Sequence, residues 1–340
     1  MQIKNEIELE ELLSTPSEEL IKDISSLKGD FLFLGVAGKM GVSMARMLKK
    51  AIDTAGGSNK VTGVARFSSP EQQGYLEQHG ISTIKGDLMD QDFLKSLPNA
   101  THVFYLAGQK FGTEGNESLT WAMNSYLPGL IAERFKNANI IAFSTGCVYP
   151  LVPVNSAGSK ETDGANPIGE YAQSCLGRER LFEYGSKKYG TKVILIRLYY
   201  SVETRYGVLV DIASKVKSGI PVDVTMGYAN VIWQTDANNM ILRSLNFCSS
   251  PAEILNIAGT EVFSIREVAQ KIADIMGKKV EFTGTESETA LLGDGSLSYR
   301  RLGKPKVHLN QMIEWTAHWM MNEGKTLGKP THFEARDGKY

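Results

Sequence analysis

Residues 31–41 read FLFLGVAGKMG, a run of four apolar residues followed at once by a glycine-rich turn. A short continuous apolar run is typical of a strand that is buried on both faces of a parallel sheet. Residues 40–52, MGVSMARMLKKAI, follow with apolar side chains at helical spacing. Glycine permits a tight turn, and the free N–H groups and positive end of the following helix attract phosphate. These residues therefore predict a strand–turn–helix unit that can bind a phosphate group.

The glycine spacing, G-x-x-G-x-x-G, makes the turn a candidate for the pyrophosphate of a dinucleotide. A pyrophosphate reaches backbone N–H groups only where no Cβ intervenes. We therefore predict that the cofactor contacts of this turn are Gly35, Gly38, Lys39, Met40 and Gly41. The motif by itself leaves open the alternative of an ordinary glycine-rich turn without a ligand.

The end of the second predicted strand indicates which dinucleotide is preferred. An NAD site has an acidic residue there that binds the ribose 2′-hydroxyl, whereas this chain has Arg66 directly after strand 61–65. An arginine at this place can pair with the additional 2′-phosphate of NADP. The sequence thus favours NADP, with NAD as the alternative, and a solvated surface charge is the plainer interpretation of Arg66.

Strands and helices alternate from residue 30 to residue 198. With helical patterns between them, short apolar runs predict strands at 31–35, 61–65, 81–84, 103–106, 140–144 and 193–198. Such alternation is typical of right-handed βαβ units in a parallel sheet. The predicted fold class is α/β, a Rossmann-type doubly wound parallel sheet with a smaller C-terminal substrate lobe. Ligands are expected outside the carboxyl ends of the strands.

The regular alternation divides the chain into an N-terminal helical extension, a dinucleotide-binding Rossmann domain and a region that is mainly the substrate lobe. In the extension, Thr15 or Ser17 can start a short helix, and a partly mobile arm is the alternative. Segments near 228–260 are predicted to return from the third region to the Rossmann domain. The predicted bounds of the three regions are 1–28, 29–200 and 201–340.

The composition excludes several classes of function. The chain has 340 residues with 37 Lys+Arg and 38 Asp+Glu, so its net charge of -1 gives no electrostatic footprint for nucleic acid or an anionic membrane. Three cysteines without CxxC spacing and five histidines without ligand spacing predict neither a disulfide framework nor a metal site. The acidic N-terminus and the lack of an apolar stretch of about 20 residues predict a soluble, cytoplasmic protein.

Further motifs follow the glycine turn in a fixed order. They are Gly86-Asp87-Leu88, Leu106-Ala107-Gly108, Asn124, Ser144-Thr145-Gly146-Cys147-Val148-Tyr149, Tyr171, Arg197-Leu198 and Asn256-Ile257-Ala258-Gly259. In this order and spacing they resemble the extended short-chain dehydrogenase/reductase family, also called NAD-dependent epimerases/dehydratases, over about residues 30–320. The resemblance implies an adenine contact at Asp87 beside Leu88. It also implies that the backbone near the cofactor includes Leu106, Ala107, Gly108 and Ser144.

The same resemblance implies a catalytic machinery. In the family a tyrosine is the general acid/base, a lysine four residues later makes it more acidic, and a Ser/Thr hydroxyl orients the substrate oxygen. Tyr171 and Thr145 match the first and third roles. Cys175 stands at the lysine position, one helical turn from Tyr171 and on the same face, but it carries no positive charge.

Three interpretations of this departure remain open. Arg178, two turns from Tyr171 on the same face, can lend the missing positive charge. Tyr184 and Lys188 repeat the Y-x-x-x-K spacing, but they lie close to the following predicted strand at 193–198. In the third interpretation, Tyr171 is a buried or interface tyrosine without a role in chemistry.

The expected function is that of an NAD(P)-dependent oxidoreductase or epimerase acting on a carbinol carbon of a sugar-like or sugar-nucleotide substrate. A dehydratase is disfavoured because Gly146 and Cys147 stand where the resembled dehydratases carry Asp-Glu. Tyr200 replaces an asparagine that is usual in the epimerases. The alternative is a non-catalytic NADP-binding or redox-sensing protein, which Cys175 would suit. The resemblance also implies a homodimer.

Overall fold

The computed structural model describes residues 2–110, 112 and 114–339. Its strands are β1 (Phe31–Leu34), β2 (Val61–Ala65), β3 (Ser82–Lys85), β4 (His102–Tyr105), β5 (Asn139–Thr145), β6 (Val152–Pro153), β7 (Lys192–Leu198), β8 (Ser201–Val202), β9 (Val222–Asp223), β10 (Tyr228–Asn230), β11 (Ile232–Trp233), β12 (Glu253–Ile257), β13 (Val262–Ser264), β14 (Phe282–Thr283) and β15 (Thr289–Ala290). Seven of these strands form one parallel sheet in the order β12-β7-β5-β4-β1-β2-β3. The strand order reverses between β1 and β4, so the prediction of a Rossmann-type doubly wound sheet is confirmed.

The α-helices are α1 (Glu6–Leu13), α2 (Glu18–Ser25), α3 (Gly41–Thr54), α4 (Pro70–Gln78), α5 (Gln91–Ser96), α6 (Glu117–Trp121), α7 (Leu127–Arg134), α8 (Gly169–Tyr189), α9 (Val208–Ser218), α10 (Gln234–Arg243), α11 (Ile265–Met276), α12 (Ser296–Leu302) and α13 (Leu309–Met321). They cover both faces of the sheet because alternate strand residues point to opposite sides. On β1, Phe31 and Phe33 join the core on one face, and Leu32 and Leu34 join the core on the other.

The C-terminal region builds a second, smaller core. Helices α9, α11 and α13 pack together, and the rings of Trp233 and Trp315 lie 4.9 Å apart at the centre. Two elements from this region instead join the first core, because β12 extends the main sheet beside β7 and α10 packs against α3. The chain therefore crosses between the two cores more than once. The bounds 1–28, 29–200 and 201–340 stay predictions.

The N-terminal segment contains two helices where the sequence indicated one. Ser17 caps α2 and accepts a hydrogen bond from the N–H of Leu20, as the helix-start pattern predicts. Helix α1 is fixed at its C-terminal end by the Thr235 hydroxyl, which donates to the carbonyl of Leu12 at 2.9 Å. Arg46 of α3 donates to the carbonyl of Glu10 at 3.2 Å. Helix α1 thus bonds to two helices of the first core and buries Leu9 and Leu13 in the second core, so the segment is part of the folded body.

A π-helical turn, Ala122–Tyr126, interrupts the α-helical path between α6 and α7. Pro128 explains this departure, since it has no N–H to donate to the carbonyl four residues earlier and its ring crowds that carbonyl. The carbonyl in question belongs to Asn124, and the Nε of Arg178 donates to it at 3.4 Å. The π turn thus opens a backbone acceptor toward α8. No helix in the described ranges is both long enough and apolar enough to cross a membrane.

Candidate active site

A pocket of about 280 Å³ lies at the carboxyl ends of β1, β4, β5 and β7, beside the point where the strand order reverses. The glycine turn forms one wall, and the ends of β4 and β5 form the floor. Helix α8 contributes Tyr171 and Arg178, and the C-terminal lobe contributes Tyr206 and Thr331. This is the place where a doubly wound sheet binds its ligand.

The glycine turn leaves backbone donors open to the pocket. Gly35 has φ +90°, and a Cβ there would lie 2.8 Å from the backbone N of Ala107. At Gly41 a Cβ would lie 2.3 Å from the carbonyl oxygen of Val36, so the chain can turn this tightly only without a side chain. Within the described part of the chain, the N–H groups of Lys39 and Met40 have no acceptor. The turn fits the pyrophosphate of a dinucleotide.

The side chain of Lys39 spans from the glycine turn to the C-terminal lobe. Its Nζ donates to the carbonyl of Ser201 at 2.5 Å and lies 4.1 Å from the ring centroid of Tyr206. Burial lowers the pKa of Lys39 to about 7, against an opposing effect of the Glu203 carboxylate. A nearby anion would stabilise the protonated, positively charged form of this lysine and would raise its pKa again.

The other predicted cofactor residues divide into two groups. Leu106, Gly108 and Ser144 line the pocket with the turn, and Ala107 backs it by contacting Gly35. Arg66, Asp87 and Leu88 lie outside this pocket, at the ends of the neighbouring strands β2 and β3. Arg66 and Asp87 are exposed, whereas the Leu88 side chain is buried in the core. Their predicted contacts with the far end of a dinucleotide stay predictions.

Tyr171 and Thr145 meet in the pocket as the motif order implies. A hydrogen bond links the Tyr171 hydroxyl to Thr145, although burial raises the pKa of the phenol well above its ordinary value. Cys175 has no exposed surface, and burial raises the pKa of its thiol to about 11. The thiol is therefore protonated at neutral pH and is not a reactive thiolate. Tyr184 does not line the pocket and is 58% exposed, so the structure does not support it as the active-site tyrosine.

Arg178 lines the pocket, and three hydrogen bonds hold its guanidinium. Its Nη1 donates to the carbonyl of Phe143 at 2.8 Å, and its Nη2 donates to Oδ1 of Asn124 at 2.7 Å. Asn124 in turn makes two hydrogen bonds of 2.8 Å with the backbone of Gln109. A Cβ on Gly108 would lie 2.4 Å from Nη2 of Arg178, so glycine at this strand end lets the guanidinium reach the cavity.

A buried ion pair adjoins the part of the floor that β5 forms. Arg197 and Glu179 are joined by hydrogen bonds of 2.9 and 2.7 Å, and their side chains are 3% and 0% exposed. The hydroxyl of Ser144 donates to the same Glu179 carboxylate at 2.5 Å. The ion pair thus fixes the orientation of the Ser144 side chain, which lines the pocket.

Sequence reasoning missed the pocket residues that come from distant segments. Lys110 and Tyr206 line the cavity, and Thr331 reaches it from the irregular tail after α13. The tail folds back because Asp211 accepts hydrogen bonds from the backbone N–H and the hydroxyl of Thr331, at 2.8 and 2.5 Å. No local pattern marks Thr331. The described residues contain no cluster of His, Cys, Asp and Glu that could hold a metal ion.

Comparison with known proteins adds a family and a set of similar folds. A model of the NAD dependent epimerase/dehydratase family matches residues 31–218. No curated protein matches the sequence. Among solved structures, UDP-glucuronic acid 4-epimerase from Bacillus cereus, in complex with NAD, has 18% identity and a TM-score of 0.71, covering 87% of this chain and 100% of its own.

Two further solved structures have the same fold. dTDP-glucose 4,6-dehydratase from Bacillus anthracis, in complex with NAD, has 15% identity and a TM-score of 0.71, covering 86% of this chain and 96% of its own. UDP-glucose 4-epimerase from Thermotoga maritima, with UDP-glucose, has 18% identity and a TM-score of 0.70, covering 86% of this chain and 99% of its own. At these identities the similarity establishes the fold alone.

Proposed function

Because the chain belongs to the NAD dependent epimerase/dehydratase family, we propose that it is an NAD(P)-dependent oxidoreductase or epimerase acting on a carbinol carbon of a sugar-like substrate. One observation carries the proposal: a single pocket joins the open glycine turn to the hydrogen-bonded pair of Tyr171 and Thr145. A dinucleotide held by the turn would supply the hydride acceptor or donor. The protein's own residues supply the proton transfer and the orientation of the substrate.

Tyr171 is the proposed general acid/base. Burial keeps its hydroxyl protonated in the free protein, so it can donate a proton to a developing alkoxide during reduction. In the oxidative direction the same oxygen accepts the proton of the substrate hydroxyl. Thr145 is 9% exposed and hydrogen-bonded to Tyr171, so its hydroxyl can orient the reacting oxygen. Ser144 faces the pocket beside it, held by Glu179.

NADP is the proposed preferred dinucleotide. Arg66 follows β2 directly and is exposed, so its guanidinium is available to a 2′-phosphate. The cap of α4 lies three residues beyond it, where the Ser69 hydroxyl accepts from the N–H of Gln72. Asp87, at the end of β3, remains the proposed contact for the adenine.

A sugar nucleotide is one form that the substrate can take. The solved UDP-glucose 4-epimerase holds UDP-glucose, and this chain has the same fold. The substrate would reach Tyr171 from the side of the C-terminal lobe, where Tyr200, Tyr206 and Thr331 line the pocket. Polar groups on these side chains suit a polyhydroxylated ligand.

A homodimer is the proposed assembly. Large apolar side chains remain exposed on the segment from α6 to α7 and on α8, namely Leu119, Trp121, Tyr126 and Tyr184. A self-association surface built on these helices would cover them. Sedimentation of the purified protein at the mass of a monomer would refute this assembly.

The non-catalytic or redox-sensing alternative is less well supported. A redox-sensing cysteine needs thiolate character and access, and Cys175 is fully buried with a raised pKa. The pocket also keeps both Tyr171 and Thr145 in hydrogen-bonded positions. A protein that only stored a dinucleotide would not need this arrangement.

The proposal is tested first by binding and then by turnover. Thermal shift with NAD, NADP and their reduced forms should show stabilisation, stronger for the NADP pair, and Arg66→Ala should remove that preference. Turnover is then screened on sugars and sugar nucleotides. Tyr171→Phe should lower kcat by 100-fold or more, as expected for loss of a general acid/base at about 10²–10⁴-fold. Tyr184→Phe, an exposed tyrosine on the same helix, is the matched control. Full activity of Tyr171→Phe would refute the assignment.

A further inference from the structure

The proposed acid/base tyrosine has a buried, uncharged neighbour where a cation is expected. Cys175 is 0% exposed and lies one helical turn beyond Tyr171, so it contributes no positive charge to the phenol. A buried tyrosine without a nearby cation resists ionisation, which hinders its use as a base. Another group must therefore favour the phenolate if Tyr171 serves in both directions.

Arg178 lies on the same face of α8, one turn beyond Cys175. Side chains on a helix lean toward its N-terminus, so the long Arg178 side chain extends back toward Cys175 and Tyr171. It lines the pocket, and the absence of a Cβ at Gly108 lets Nη2 approach the end of β4. The positive charge of Arg178 acts on Tyr171 and on Cys175, lowering the pKa of each against the larger effect of burial.

The charge of Arg178 is not neutralised by an ion pair. Its hydrogen-bond acceptors are uncharged oxygens, which belong to Phe143 and Asn124. No carboxylate oxygen from the described ranges lies within 4 Å of its guanidinium. A guanidinium that is 6% exposed without a paired carboxylate is costly to bury, so such a residue is expected to serve a function.

The surrounding fold is arranged to hold this charge in place. The π turn frees the carbonyl of Asn124 because Pro128 cannot bond it, and Nε of Arg178 takes that acceptor. The Asn124 side chain accepts from Nη2 and is itself fixed by Gln109. The guanidinium is therefore oriented by groups from two segments, the π turn and β5, and Gln109 fixes the Asn124 side chain.

We propose that Arg178 is the active-site cation of this protein and stabilises the phenolate of Tyr171 from a position one turn beyond Cys175. This inference rests on the proposed function, in which Tyr171 transfers the proton. The proton itself moves between the Tyr171 hydroxyl and the substrate oxygen, and Arg178 keeps its own protons throughout because a guanidinium does not deprotonate near neutral pH.

The test compares Arg178→Gln with Arg178→Lys in two measurements. The first is the pH profile of kcat in the oxidative direction, on the sugar that the screen finds to be turned over. Arg178→Gln should move the limb that reports tyrosine ionisation to higher pH by one unit or more, which equals at least a tenfold loss on that limb. Arg178→Lys keeps the charge and should shift the limb less. Arg180→Gln, at an exposed position two residues along α8, should leave the profile unchanged.

The second measurement does not depend on turnover. The ultraviolet absorbance of tyrosinate is titrated in each protein and in its Tyr171→Phe counterpart, and the difference reports Tyr171 alone. This difference should appear at higher pH in Arg178→Gln than in the wild type. When Cys175→Lys is added to Arg178→Gln, the limb of the kcat profile and the tyrosinate titration should both return to lower pH. The reason is that the added substitution places a cation one turn from the phenol.

The outcomes separate this inference from the function on which it rests. If Tyr171→Phe is inactive but Arg178→Gln leaves both titrations unchanged, the acid/base assignment stands and the role of Arg178 is refuted. A shift that appears only in Lys110→Met or only in Lys39→Met, at the two lysines that also line the pocket, would also refute it. If Arg178→Gln fails to fold, Arg178→Lys and its combination with Cys175→Lys carry the same comparison.

Discussion

The buried ion pair between Glu179 and Arg197 should be one of the most sensitive points of the molecule. Glu179 is joined to Arg197 by two hydrogen bonds of 2.7 and 2.9 Å, and the two side chains are 0% and 3% exposed. Removing one partner leaves the other charge buried without compensation, which costs about 3–5 kcal/mol. Glu179→Leu and Arg197→Met should therefore each lower the free energy of unfolding by about this amount.

The double variant should behave differently from the sum of its parts. With both charges gone, no uncompensated charge remains, and two apolar side chains of similar length fill the space. The residual cost is expected to come from Ser144, whose hydroxyl loses its acceptor on Glu179, at about 1–3 kcal/mol. The double variant should therefore fall short of the summed single costs by more than about 2 kcal/mol.

The assay is equilibrium unfolding in urea, followed by far-ultraviolet circular dichroism and tryptophan fluorescence. The two transitions must coincide for the free energies to be compared. Arg180→Gln is the control, since Arg180 and Glu183 form a pair of 2.8 Å whose side chains are 56% and 22% exposed. Arg180→Gln should lower the free energy of unfolding by about 1 kcal/mol or less. A cost below about 1 kcal/mol for Glu179→Leu, or strictly additive costs, would refute the reasoning.

Two further predictions concern the glycine turn. Because the pKa of Lys39 is about 7 in the free protein and a bound phosphate raises it, dinucleotide affinity should fall as pH rises above about 7. Calorimetric titration should show this fall together with proton uptake, and Lys39→Met should flatten the dependence; a pH-independent wild type would contradict the prediction. Gly41→Ala places a Cβ 2.3 Å from the carbonyl oxygen of Val36 and should weaken dinucleotide binding more than tenfold, whereas Gly164→Ala, with no atom within 4 Å of its Cβ, should bind as the wild type does. Equal affinity of the two glycine variants would show that the turn is not the binding site.

Much of the fold is predictable because its signals are local. The four apolar residues of β1 and the glycines behind them identify a strand, a turn and a helix within one short stretch. A serine with a glutamate three residues later is likewise a local signal for the start of a helix, and Ser264 caps α11 by accepting from the N–H of Glu267. The family assignment is likewise confirmed, because it depends on the order of several such motifs.

Elements outside the regular alternation were harder to predict. Helix α1 has a weakly amphipathic sequence, and the structure shows it hydrogen-bonded to α3 and α10. The π turn before α7 follows from Pro128, but a sequence pattern alone does not show whether a proline bends a helix or ends it.

In the candidate site, too, some features follow from local sequence patterns and others depend on contacts between distant residues. The sequence by itself determined the glycine turn, the parallel sheet and the positions of Tyr171 and Thr145, because each depends on residue spacing within one strand or helix. Only the tertiary structure decided that Arg178 lies beneath Gly108, that Lys39 reaches Ser201, and that the tail brings Thr331 into the pocket. The residues in these contacts are 70, 162 and, for Asp211 and Thr331, 120 positions apart, so the contacts depend on how the helices and lobes pack and on which way each side chain is turned.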